Sequence, residues 1–590
     1  MRANRVSVTV FDERRTKKSA RQTRSMGDFD EMKLTVATLA VFAAIQTVTS
    51  SPQPSVVLPP SVAQAVLVDT IVTDSKGRPV TDLKVDDFEL FEDDRRVAIS
   101  LFQAPATALP PSEKSSSSAN AVPTKSTRAI DDRIVAIYAD RKLLSPGGRK
   151  RALDQAADLA RLFIDRGARV VVIAEDPGLR ALTPLTSDVA VVRGAFERIQ
   201  GWATQSPGVV ETRETLDRLK STIELAESGR MCEGSPCLCV LPELISAIRG
   251  YAVFRDFEAT EAAARLSVVV AALHGLPGRK SLIYVSEGLE HRPGIQLFDQ
   301  LFRICPDTER KDASSVLSPM QEFDTSRPLK DAAARANALG VTIYPLDARG
   351  LGGLSTGDIT MTDRRYVPSA RNDSIKDANL AGPQQLLAEE TGGFAMLRGL
   401  GPESAMRRFE TDHAARYLLA FVPGEADGRR HVLRARLKPE IAAKRKVEIR
   451  HRLSYFRTAL PDRRGQRALS VLVFGLEENS IGLDAEVVRT GAESAEVRAT
   501  IPEAAFRSGG GDGATRSWRI VIAFRALDAP GGQVTVREKE VDIAGSPGSG
   551  SSRTVAVEIP ISTHAYDVVV GVEGPENRVS YLRRRLEAQK

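Results

Sequence analysis

Between Ala65 and Phe102 apolar and polar residues alternate with period two around turn signals at Ser75 to Pro79 and at Asp93-Asp94, which predicts a small group of strands. The following PATALPPSEKSSSSANAVPTKSTR has the Pro, Ser and Lys composition of a linker. From Ile130 the pattern becomes strand then helix, repeatedly. RIVAIYAD reads as a buried strand ending on Asp140; Ser145 can cap the helix after it, with Pro146 in the first turn, where its missing donor costs nothing. That helix aligns Leu153, Ala156, Ala160 and Phe163 at spacings of three and four and ends at Gly167. ARVVVIAED predicts a second strand, and SDVAVVRGAFERIQGW a second helix with Val189, Val192, Phe196 and Ile199 on one face. Helical stretches follow over Glu211 to Glu227 and Val240 to His274, then strands in RKSLIYVSEGL and GVTIYPLDARGL, the latter preceded by the helical LKDAAARANAL. Strands alternating with helices predict an α/β unit whose parallel-type sheet is covered on both faces.

The polar stretch Gly350 to Ala381 lacks periodicity and predicts a long loop, after which PQQLLAEETGG returns to helix. RYLLAFVPGEADGRRHVLRARLK and KVEIRHRLSYF predict a hairpin and a third strand. Beyond Arg463 the pattern is strands alone, in ALSVLVFGL, AEVRATIP, SWRIVIAFRAL, GQVTVREKEVDI, RTVAVEIPI and YDVVVGVEG, separated by glycine-rich turns. That spacing predicts an antiparallel sandwich of about six or seven strands. The expected organisation is an N-terminal extension and signal peptide over 1–50, a β segment over 65–104, a linker over 105–128, the α/β unit over 130–351, a loop, helix and hairpin extension over 352–456, and an all-β sandwich over 464–590.

Charge sharpens this outline. Met1 to Lys33 hold nine Lys or Arg against five Asp or Glu, which leaves 73 against 71 in the rest of the 590 residues. The body of the chain is nearly neutral, so a nucleic-acid partner has no electrostatic footprint. After Lys33 comes LTVATLAVFAAIQTVTSS, an apolar run preceded by positive charge and followed by small residues, the layout of a secretory signal peptide. Its strongly apolar part stops near Ile45, short of the ~20 residues a spanning helix needs, so membrane attachment is expected only through an uncleaved signal anchor. The expected location is exported: periplasmic, secreted or at the cell surface. In that oxidising space Cys232, Cys237, Cys239 and Cys305 are compatible with two disulfides of undetermined pairing; zinc is disfavoured because no His stands close to the cluster.

The stretches VDTIVTDSKGRPVTDLKVDDFELFEDDRRVAI, GRKSLIYVSEGL, ARANALGVTIYPLDARGL, LAEETGG and YLLAFVP…VEIRHRLSYF, in this order, resemble the bacterial von Willebrand factor A-related proteins abundant in acidobacteria. The resemblance spans Ala65 to Phe456, about two thirds of the chain. It implies a Rossmann-like factor A domain from about Ile130 to Leu351 with a strand-rich surround, and no defined activity. Factor A domains usually bind partners through a metal held by an Asp-x-Ser-x-Ser loop after the first strand, a Thr from a middle loop and an Asp after a later strand. Mg²⁺ takes six oxygens in near-octahedral array, and an open position accepts a partner's carboxylate. Here Asp140 stands at the first aspartate, Lys142 and Leu144 stand where the serines belong, and Ser145 supplies a hydroxyl one residue late. Glu287 stands for the third-loop Asp, while Thr183 and Thr186 lie too early to serve as the middle Thr. Asp140, Ser145 and Glu287 therefore read as a degenerate metal set, with Lys142 either repelling an ion or pairing with Asp140.

Asp140, Ser145, Glu287 and Asp347 all fall at predicted strand ends, where the loops of an open α/β sheet gather ligands. They form the expected binding surface, roofed by the 350–381 loop, with Arg141 or Lys142 offering positive charge to an acidic partner. GLSTG, Gly353 to Gly357, fits the Gly-x-Ser-x-Gly pattern around Ser355, but it lacks the strand running into the turn and the helix leaving it that a nucleophile elbow needs. GLPGRKS lacks phosphate-loop spacing and reads as a turn. The expectation is an exported, non-enzymatic protein-binding or adhesion module that meets an unknown protein or cell-surface ligand without a cofactor. The alternatives are an adhesin with a working Mg²⁺ or Mn²⁺ site and a serine hydrolase using Ser355.

Overall fold

The computed structural model describes residues 65–105 and 134–589 apart from breaks at 145, 176–177, 203–206, 228–235, 275, 277–279, 305–320, 350–369, 398–399, 426, 458–461, 476, 503, 508–514, 528–533, 545–551 and 575–577. The expected signal peptide, the linker from residue 106 onward, Ser145, Cys232, Cys305 and Ser355 lie outside the described residues, and the side chains of Cys237 and Cys239 are likewise not described. No described helix is long and apolar enough to cross a membrane.

Four strands open the described chain: β1 (Val66–Asp74), β2 (Phe88–Glu92), β3 (Arg95–Val97) and β4 (Leu101–Gln103). A mixed sheet follows, built from β5 (Ile134–Ala139), β6 (Arg169–Glu175), β7 (Leu179–Ala181), β8 (Lys280–Ser286) and β9 (Val341–Asp347) in the order β7-β6-β5-β8-β9. All neighbours in it run parallel except the edge strand β7, which is antiparallel. Successive side chains of a strand face opposite ways, so β5 sends Ile134, Ala136 and Tyr138 into one core and Val135, Ile137 and Ala139 into another. Both faces are covered, and this is why the strand reads as an unbroken apolar run.

The helices over the sheet are α1 (Pro146–Ile164), α2 (Val189–Gly201), α3 (Pro207–Glu227), α4 (Pro236–His274), α5 (Ile295–Ile304), α6 (Ser326–Ala338), α7 (Ala370–Thr391) and α8 (Pro402–Ala414). Residues of α4, α6 and α7 fill the first core and those of α1, α2 and α8 the second. Strand order reverses at β5, with β6 on one side and β8 on the other, which creates a switch point at their carboxyl ends. The predicted loop over 350–381 is corrected in part, because Ala370 onward belongs to α7. Its buried face carries Asn379, whose side chain bonds the backbone of Arg292 in both directions at 2.7 and 3.1 Å, so polar residues hide the helical period.

The chain then forms β10 (Arg416–Phe421), β11 (Arg430–Leu437), the short α9 (Pro439–Lys444), β12 (Val447–His451) and β13 (Ser454–Phe456). These close on the N-terminal strands: the sheets β12-β1-β10-β4 and β13-β11-β2-β3 enclose Val68, Val72, Leu90, Tyr417, Leu419 and Leu433.

Next comes α10 (Asp462–Phe474), where ALSVLVFGL predicts a strand; this expectation is overturned. Leu469 and Val473 pack into the α/β core while Ala468, Val471 and Leu472 pack on the C-terminal sheet, so the helix is apolar on two sides. A helix buried from two directions loses its amphipathic stripe and resembles a core strand in sequence. Beyond it, β14 (Glu478–Asn479), β15 (Asp484–Arg489), β16 (Ser494–Ile501), the single-turn α11 (Ala504–Arg507), β17 (Thr515–Ala526), β18 (Val534–Ala544), β19 (Arg553–Pro560), β20 (Tyr566–Glu573) and β21 (Val579–Leu586) give a five-stranded sheet, β14-β21-β20-β17-β18, against a three-stranded one, β15-β16-β19. Trp518, Ile520, Ile522, Val568 and Val570 meet Val497 and Ile559 between them.

Candidate functional site

Asp140 follows β5 with the parity of Ile134, Ala136 and Tyr138, so its side chain goes to the α4 face of the sheet. It is fully buried. A buried carboxylate requires charge and hydrogen-bond partners, and Asp140 has them: Arg265 of α4 donates through Nη2 to Oδ1 at 3.2 Å and to Oδ2 at 3.1 Å, and the Tyr284 hydroxyl of β8 donates to Oδ2 at 2.9 Å. The same guanidinium brings Nε within 3.2 Å of Oε1 of Glu175, the last residue of β6. One arginine thus bridges two carboxylates at the ends of adjacent strands.

The electrostatics follow from that packing. Burial opposes the Arg265 charge, yet Asp140, Tyr138 and Glu175 hold the guanidinium protonated well above its usual range. Burial, and then the charge of Asp140, push Glu175 up from the ordinary carboxylate value and the Tyr284 phenol far up from its own. Tyr138 is raised for the same two reasons and stacks on Tyr284 with ring centres 5.7 Å apart.

Main-chain hydrogen bonds lace the loops around this cluster. Asp140 N–H donates to Val285 O at 3.1 Å, Glu287 N–H to Leu143 O at 2.9 Å, and Ala348 N–H to Ser286 O at 2.9 Å. The loops after β5, β8 and β9 are therefore brought together, but their acidic side chains are put to separate uses. Asp347 accepts the Arg349 N–H at 3.0 Å and its Nε and Nη2 at 2.9 and 2.7 Å, which closes its own turn. Arg349 reaches on to Asp377 of α7 at 3.7 Å. Glu287 is half-buried and lies in the field of Arg149. Thr183 accepts the Val172 N–H of β6 and Thr186 the Asp188 N–H, each at 3.0 Å, so the first ties its segment to the edge of the sheet and the second closes a local turn.

As arranged, Asp140 does not fit a divalent ion, because both of its oxygens are engaged by a cation the chain itself supplies. That cation is Arg265, where the sequence pointed to Lys142; Lys142 is half-buried and its influence falls on Glu175. Among the described residues no group of three or more His, Cys, Asp or Glu is positioned to hold a metal. Arg265, Glu175 and Tyr284 escape the motif reading, but one signal exists. Arg265 stands three residues after Ala262 and four before Val269, a charge on the buried stripe of the helix, as Arg255 is three after Ala252 and four before Ala259.

Outside this cluster lies a basic rim on the α1 side. The Arg141 guanidinium sits 5.3 Å above the Trp202 ring, and buried Arg149 donates to the Trp202 carbonyl at 3.1 Å. Burial and the neighbouring Arg141 charge together push Arg149 down. Arg151 donates to the Arg349 carbonyl at 3.3 Å, tying the rim to the loop after β9.

No protein-family model matches this chain, and no curated protein does. Among solved structures, a candidate beta-galactosidase from Bacteroides fragilis is similar over 19% of this chain and 16% of that one, at 14% identity and a TM-score of 0.13. A likeness that small carries no argument about fold or activity.

Proposed function

We propose that this is an exported, non-enzymatic protein-binding or adhesion module, built on a Rossmann-like factor A unit whose metal site has degenerated. The supporting features are a mostly parallel sheet covered on both faces, an aspartate at its switch point, and three loops drawn together there. One observation carries the reading: the carboxylate best placed to be a ligand, Asp140, is satisfied from within by Arg265 and Tyr284. An aspartate turned to structural use leaves recognition to the rim. Arg141, over the Trp202 ring, and Lys142, both half-buried, offer positive charge, an arrangement complementary to acidic side chains on a protein partner.

The test is capture of partners from an exported fraction by the full chain and by the Arg141→Ala/Lys142→Ala variant. Loss of the charges should weaken capture at least tenfold, which corresponds to about 1.4 kcal/mol. Equal capture by both proteins sinks the proposal. A metal-dependent adhesin would release its partner on chelation, whereas capture through the basic rim should persist in EDTA.

A further inference from the structure

The sheet β13-β11-β2-β3 buries one face in the core of its sandwich and carries arginine on the other. Along β11, His431, Leu433, Ala435 and Leu437 turn inward, which leaves Arg430, Val432, Arg434 and Arg436 facing out. Cross-strand register sets Arg434 beside Phe91 and Phe91 beside Arg96, and it sets Arg430 beside Phe456. Two rings thus stand on this face with guanidinium groups around each. Arg434 and Arg436 lie 5.1 and 4.7 Å from the centre of the Phe91 ring, and Arg335 of α6 lies 5.0 Å from that of Phe456. A guanidinium laid on a ring keeps its in-plane N–H fork for a carboxylate. The chain's own carboxylates fill only part of that capacity. Glu89 takes Arg436 at 2.9 Å and Arg96 at 3.4 Å, and Asp94 takes Arg434 at 2.8 Å, whereas Arg335 and Arg430 have no ion pair among the described residues. Five guanidiniums against two carboxylates leave three positive charges in excess on one sheet of a nearly neutral chain.

The face is also open, since Val432, between Arg430 and Arg434 on β11, is 53% exposed. From Arg430 to Arg434 the strand covers about 14 Å, so a small anion would meet one ring alone and an extended polymer would meet both. An extended peptide gains most at a sheet edge, where main-chain groups are offered. A face offers side chains only, and what it reads is charge repeated along a chain. We propose that this face binds an acidic polysaccharide, a chain of uronic-acid units whose carboxylates replace Glu89 and Asp94 around the Phe91 ring and pair with Arg335 and Arg430 around that of Phe456. Carboxylate is the group the face already holds, so the ligand exchanges like for like, and exposed pairs of this kind yield readily because each is worth no more than ~1 kcal/mol. The surface lies on a different sheet from the Arg141 rim and does not depend on the partner proposed there.

The experiment is calorimetric titration of the full chain with polygalacturonate at low salt, with neutral dextran, dextran sulfate and double-stranded DNA as comparators. Polygalacturonate should bind saturably, dextran not at all, and the sulfated and nucleic-acid polymers more weakly than polygalacturonate. Arg430→Gln/Arg434→Gln should weaken polygalacturonate binding at least tenfold. Arg335→Gln, on a separate element, should weaken it measurably by itself, which keeps the test decisive if the double variant does not fold. Arg249→Gln/Arg498→Gln, which removes two exposed guanidiniums elsewhere on the surface, should bind as the wild type does. No saturable binding of polygalacturonate, an equal loss in the two double variants, or unchanged binding by Arg335→Gln each overturns the proposal. So does tighter binding of dextran sulfate or DNA, which would make the face a surface for another polyanion.

Discussion

His451, at the end of β12, is a buried imidazole used in one protonation state. Its Nε2 accepts the Ala435 N–H at 3.1 Å, and its Nδ1 lies 2.7 Å from the Arg452 carbonyl, so Nδ1 carries the proton and the ring is neutral. Burial holds its pKa below the ordinary 6.5; the Arg452 carbonyl opposes that shift and the Arg452 charge reinforces it. Because the unfolded chain takes up the proton first, stability is lost as pH falls through about 6.5 toward the lower folded value. Each unit of that shift is worth about 1.4 kcal/mol. Urea midpoints measured from pH 7.5 to 5 should fall with acidification, and His451→Gln should flatten that slope. An unchanged slope would refute the assignment. At this same scale the sequence is informative only where chemistry is local. Asp140 is legible because a strand pattern leads into it. The Asp140 partner stands 125 residues on in the chain, and no short motif encodes a pairing of that reach.

Among the elements, β5, β6, β8, β9, α1 and α2 follow their sequence patterns because each meets the core in the way its period implies. The helix α10 does not, since it is gripped on two sides. Ser470 donates to Ala272 O of α4, and to its own Gln466 O at 2.9 Å, while Leu472 lies fully buried against the C-terminal sheet. Leu472→Ala should therefore cost about 2–5 kcal/mol, the range for emptying a packed leucine site. A strand in this stretch would alternate its side chains, and neighbouring Leu472 and Val473 would face opposite layers with Val471 beside Val473. The helix instead groups Leu469 with Val473 and Ala468 with Val471 and Leu472. Equilibrium unfolding of Leu472→Ala and Leu469→Ala separates the two layers, and a loss below about 1 kcal/mol at both positions would count against a helix packed on two cores.

At the level of the whole molecule, chain order and spatial order part company. β1 lies between β10 and β12, with Val68 opposite Leu419 and Thr70 opposite His451, so the first described strand is hydrogen-bonded on both sides by strands from beyond the α/β unit. The α/β unit is in this sense inserted into a β-sandwich, a topology that period-two patterning cannot announce because it names strands and not their neighbours. The C-terminal sandwich is tied on differently. Arg525 of β17, buried beside Asp567 at 3.3 Å, also donates to the Leu179 carbonyl of the edge strand β7, and α10 fills the seam. The sandwich closure has a direct consequence. If β1 is a central strand whose Val68 and Val72 complete a core with Tyr417, Leu419 and Phe421, cutting the chain between residues 105 and 134 removes no hydrogen bond from that sheet. A protease site inserted there and cut in native buffer should leave the N-terminal fragment bound, co-eluting with the larger one on size exclusion. The two should separate only in denaturant, and refolding together should restore the complex more slowly than the uncut chain refolds, since closure has become bimolecular. Separation of the fragments in native buffer would mean that β1 is not held as a central strand.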